Sequence, residues 1–182
     1  MNSLITVYFE SGFNIIYLAL VWMLVVLMTR NLPTVNVKDR STAGLIRVAF
    51  MLLAAGDTGH VGFRVIGYLL GGLNTQVNIL GSSMSLAGLG TLTTSFTVTV
   101  FYMLLVYVWQ KRFQQSSNGL TSFLLAACLI RLILMDLPGN DWAAVVPLQP
   151  MSIYHNIPLM IQGMGVIGLF LYSGYRENDH TF

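Results

Sequence analysis

Charge is scarce in this chain. Only 9% of its 182 residues are Asp, Glu, Lys or Arg, against about 25% in an ordinary soluble domain, so a water-facing surface cannot be built from this composition. Soluble globular and disordered classes are both excluded, in keeping with a hydrophobic content of 55% and a mean hydropathy of +0.70. The nine Lys and Arg are scattered and the net charge is only +2, so there is no basic face and no nucleic-acid partner. Cys128 is the lone cysteine and lies in an apolar run, which excludes disulfide frameworks and thiolate metal clusters. No Walker loop, GxSxG elbow or Rossmann glycine fingerprint occurs, leaving nucleotide-driven and serine-esterase chemistry without support. A retinal Schiff base needs a lysine inside a span, and Lys38 and Lys111 both fall in loops.

What the chain has is apolar length. Five segments reach the roughly 20 mostly apolar residues that a helix needs in lipid: 13–29, 44–71, 89–109, 120–137 and 153–175. The expected fold is an all-α integral membrane protein, one membrane domain built as a bundle of five transmembrane helices. Glu10 is the one charge before the first segment, which lacks the basic start and cleavage site of a signal peptide and is expected to stay as an anchor. Arg30, Lys38, Arg40, Arg47, Lys111, Arg112 and Arg176 all fall on one side, while segments 73–88 and 138–152 hold no Lys or Arg. The positive-inside rule then predicts an external N-terminus and a cytoplasmic C-terminus, which requires an odd number of spans. The expected location is a bacterial-type inner (plasma) membrane. Segment 73–88 suits a loop or short interfacial helix. Residues 138–158 hold four of the five prolines, and the first part, 138–152, suits a stiff cap on the outer face.

Charged residues inside the spans carry the functional reading. Asp57, His60 and Arg64 are spaced by three and four, which makes one helical stripe about 10 Å long. A charge at the bilayer centre costs roughly 2.5 to 3.5 kcal/mol, so the stripe is expected to face protein, with Gly56, Gly59 and Gly62 beside it allowing close helix approach. The fourth segment adds Arg131 and Asp136, and the fifth adds His155, Asn156 and Gln162. Span directions put all of these in the middle and outer half. A polar outer-half chamber for an anionic, lipid-like amphiphile is therefore expected, open to an enzymatic role with Asp57 and His60 as acid and base. Arg64, Arg131, Asp136, His155, Asn156 and Gln162 would bind the substrate, the arginines by charge-assisted bonds to its headgroup.

The alternative is a non-catalytic accessory subunit or a small-molecule or ion carrier. There Asp57 and Asp136 neutralise Arg64 and Arg131 and lock the second helix to the fourth, or the charges pair with a membrane-protein partner; a homo-oligomer is also compatible. The hydroxyl run TLTTSFTVT can bond back to its own backbone and marks no site by itself. No cofactor is required. Zinc would draw on His60, His155 and a carboxylate from Asp57 or Asp136, but no HExxH motif is present and two arginines would oppose the metal. Haem would sit between His60 and His155 with Arg64 and Arg131 on its propionates, although His155 is expected well above His60. In helix count the chain is similar to the five-helix sterol isomerases of the emopamil-binding type; their motif is absent, so the likeness is one of architecture.

Overall fold

A computed structural model describes residues 2–176 apart from Leu80 and Pro147, with backbone alone for 2–8, 10 and 11. The described chain contains helices α1 (Asn2–Asn31), α2 (Val37–Leu69), α3 (Leu86–Arg112), α4 (Gly119–Asp136) and α5 (Met151–Arg176), with strands β1 (Gln76–Ile79) and β2 (Ser82–Ser85) before α3. Four of them, α1, α3, α4 and α5, are long and apolar enough to cross a membrane. The chain is a multi-pass membrane protein. Helix α2 has 33 residues, ample length, but its charges dilute its hydropathy.

Segment 73–88, expected as a loop or interfacial helix, instead holds an antiparallel hairpin pairing Gln76 with Ser85 and Ile79 with Ser82. Its serines and glycines offer no apolar stripe at helical spacing, and Gly81 supplies the turn at φ +85°, where a side chain is strained. The same segment then starts α3, because the Ser85 hydroxyl accepts from the Gly88 amide at 2.9 Å, an N-cap. Asn118 and Thr121 start α4 through a reciprocal pair of bonds, each 2.9 Å. The hairpin rests on the proline-rich loop: Ser85 N–H donates to the Trp142 carbonyl at 3.0 Å and Gln76 Nε2 to the Ala143 carbonyl at 3.1 Å.

Helix α2 packs between α1 and α3, while α4 and α5 pack on α3 and on each other. Contacts run antiparallel along α2 and α3: Thr94 Oγ1 donates to the Gly56 carbonyl at 3.0 Å, the Phe50 and Phe101 rings lie 5.8 Å apart, and Lys111 Nζ donates to Ser41 Oγ at 2.7 Å. Glycine makes this approach possible. A Cβ on Gly59 would lie 2.7 Å from Thr93 Cγ2, and one on Gly90 would lie 3.0 Å from the His60 carbonyl oxygen. At the opposite end from the hairpin, Val106, Trp109, Phe113, Leu124, Val166 and Leu169 close an apolar core, and Trp109 Nε1 donates to the Leu169 carbonyl at 3.1 Å and Ser173 Oγ at 2.9 Å.

Candidate functional site

Helix α3 divides the polar residues into two groups. Taking Gly90 as zero at 100° per residue, Thr93, Thr94 and Thr97 fall within about 60° of it, and Ser95 and Thr99 fall about 140° and 180° away. The first face receives α2; the second receives α4 and α5.

On the α2 side, Asp57 turns to α1 rather than to the fourth helix. The Tyr17 hydroxyl donates to Asp57 Oδ2 at 2.8 Å, and one residue on, Trp22 Nε1 donates to Thr58 Oγ1 at 2.9 Å. His60 and Arg64 are half-buried on the same helix. Asp57 Oδ2, one turn from His60 on this helix, is thus engaged by Tyr17.

On the other side, Arg131 is the largest of the wholly buried side chains, at 1% exposure. Its Nε donates to the His155 carbonyl at 3.0 Å and its Nη1 to the Ser95 carbonyl at 2.8 Å and to Thr99 Oγ1. The Thr99 hydroxyl gives its own proton to the Ser95 carbonyl at 2.7 Å, which leaves lone pairs for the guanidinium. Pro158 lies inside α5 and removes the amide that would bond the Tyr154 carbonyl, loosening the turn that carries His155. Among the described residues no carboxylate pairs with Arg131. Asp136, its expected counter-ion, is five residues on, about 140° round the helix, and exposed at the end of α4. Among the described residues, Asp57 therefore bonds to α1 and Asp136 is exposed at the end of α4, so neither carboxylate is the partner of Arg131.

Above Arg131 the proline-rich loop closes the bundle. Asn140 Nδ2 donates to the Leu134 carbonyl at 2.5 Å and the Leu137 carbonyl at 3.2 Å, so its Oδ1 is the acceptor for His155 Nδ1 at 2.9 Å. That assigns the imidazole proton to Nδ1. Trp142 stacks on the same ring, centroids 6.1 Å apart and planes at 24°. The space left between this cap, α3 and α5 is about 10 Å³, room for one water at most.

Gln162 lies two turns inward from His155, about 10 Å deeper, and is 0% exposed. Antiparallel contacts of α4 with α5 join Arg131 to His155 and Leu124 to Gly165, so Gln162 stands at a level between Arg131 and Leu124. Both atoms of its amide are buried without a hydrogen-bond partner among the described residues. Asn156 points out of the bundle, its Nδ2 donating to the Ser152 carbonyl at 2.7 Å. Among the described residues no three His, Cys, Asp or Glu side chains converge on a metal position. The zinc ligands imagined from the sequence are dispersed: Asp57 faces α1, while His155 is held under the cap on the far side of α3.

Sequence reasoning passed over Ser95 and Thr99, because a hydroxyl run that can bond to its own backbone carries no marker of which members also serve another helix. Asn140 and Trp142 had a weak signal in the proline-rich cap. Tyr17 had none. No family model matches the chain, and no curated protein or solved structure does.

Proposed function

We propose that this chain is a five-span membrane protein that binds an anionic amphiphile in the outer half of its α3–α4–α5 face, with Arg131 as the cation for the headgroup. The carrying observation is the buried guanidinium held by three neutral acceptors and, among the described residues, no carboxylate. A buried cation without counter-charge is expensive, and the unpartnered amide of Gln162 adds about 1 to 3 kcal/mol at the same region. An anion beside Arg131 supplies the missing counter-charge. The reading makes the protein a binder rather than a catalyst, because Asp57 already accepts the Tyr17 proton within a helix contact.

The fifth crossing is supported by register. Contacts from Ser41–Lys111 to His60–Gly90 keep α2 beside α3 for about 20 residues, or about 30 Å, the thickness of the hydrocarbon core. If α3 crosses, α2 crosses with it. Seven basic residues then mark one end of the bundle, which the positive-inside rule assigns to the cytoplasm of an inner (plasma) membrane.

Native mass spectrometry of the detergent-purified protein tests the binding. A phosphatidylglycerol should be retained at least about tenfold better than a diacylglycerol with the same chains. Arg131→Leu should erase that preference. Arg131→Lys, which keeps the charge without the planar fork, should retain part of it and show that loss in the Leu variant is not loss of fold. Equal retention of the two lipids, or an unchanged preference in Arg131→Leu, would refute the proposal.

A further inference from the structure

Between the hairpin and the outer ends of α3 and α4 lies an open groove of about 660 Å³, within the usual range of about 300 to 1,000 Å³ for small-molecule sites. Its upper edge carries Asp136, Asp141 and Trp142, and its floor carries Leu92, Phe96 and Leu132. Phe96 lies ten residues into α3, about 15 Å from its start, and is 52% exposed. The groove thus runs from the aqueous edge down to acyl-chain depth and is open at its side. Those are the dimensions and polarity of a lipid, polar end up.

Its charge selects the headgroup. Residues 65–110 contain no charged side chain, and residues 132–175 contain only Asp136 and Asp141. Both are exposed and neither has an ion-pair partner among the described residues. Arg131 is buried on a different face of α4, Arg64 lies on α2, which packs on the opposite face of α3 and does not line the groove, and the cations of the described loops sit at the opposite end of the bundle. The Trp142 ring adds a face for a cation. A lipid with a purely anionic head meets two carboxylates here, whereas an ammonium head meets two opposite charges and an indole.

We infer that this groove binds a lipid of the surrounding leaflet through an ammonium headgroup held by Asp136, Asp141 and Trp142, with a chain along Leu92, Phe96 and Leu132. This goes beyond the anion site at Arg131, has the opposite charge preference and stands or falls separately. The probe is a diacyl trimethylammonium-propane lipid, which has no phosphate to engage Arg131, compared with a diacylglycerol of the same chains by native mass spectrometry. Exposed ion pairs and a cation–π contact are individually modest, so retention of the ammonium lipid should exceed that of the diacylglycerol by about five- to tenfold. The double variant Asp136→Asn/Asp141→Asn should bring the two level. It preserves the Oδ1 acceptor for the Ala143 amide, and an unchanged unfolding midpoint in detergent would show that the fold persists. Asp39→Asn, the same charge change at the other end of the chain's α2, should leave the ammonium preference intact. Equal retention by the wild type, an unchanged preference in the double variant, or an equal loss in Asp39→Asn would overturn the inference.

Discussion

Replacing Gly59 with alanine tests the interface on which the whole arrangement rests. The added Cβ would stand 2.7 Å from Thr93 Cγ2 and 3.2 Å from Thr93 Cβ, where carbon atoms prefer about 3.5 to 4.0 Å. Relief requires the helices to part or Thr93 to leave its rotamer, an overpacking cost of about 1 to 3 kcal/mol. Against it stands the helix preference for alanine over glycine, about 1 kcal/mol, so Gly59→Ala alone should destabilise by about 0 to 2 kcal/mol. Thr93→Ser deletes the offending methyl while keeping the hydroxyl that donates to the Leu89 carbonyl at 2.8 Å. The double variant should therefore recover the loss. Denaturant unfolding in detergent of the four proteins of the cycle gives the coupling between the two positions, expected at about 1 to 3 kcal/mol in favour of the double change. Additive effects, with coupling below about 0.5 kcal/mol, would mean that Gly59 and Thr93 do not touch, and the partition of polar residues by α3 would go with that contact.

Two further outcomes are expected. Tyr17→Phe should cost about 1 kcal/mol or more, because it strands the Asp57 carboxylate without its donor, while Asp57→Asn should cost less, since an amide oxygen still accepts from the Tyr17 hydroxyl; the reverse order in the same unfolding assay would discard this contact. Cys128 is buried and should not react, so Ser82→Cys should react with a membrane-impermeant maleimide in intact cells, and Ser116→Cys only after permeabilisation. Labelling of both from outside would end the five-span topology.

Much of this architecture is written in local composition. The scarcity of charge and the apolar lengths of α1, α3, α4 and α5 speak directly of a lipid solvent, since each residue's transfer energy is its own property. The one-sided placement of Lys38, Arg40, Lys111, Arg112 and Arg176 is equally local. So is the offer of close approach at Gly56 and Gly59, although not the identity of the helix that accepts it. That Thr93 and Thr97 fill those places, that Asp57 turns to Tyr17, and that Ser95 and Thr99 hold Arg131 were decided only in three dimensions. The physical reason is that hydropathy says which residues leave water, whereas the partner of each face depends on steric fit between helices far apart in sequence. The hairpin and the Asn140–His155–Trp142 closure belong to the same category: a serine or a proline-rich loop is compatible with many conformations, and the bonds from Ser85 and Gln76 to the loop at Trp142 and Ala143 exist only once the helices beneath have brought the two segments together.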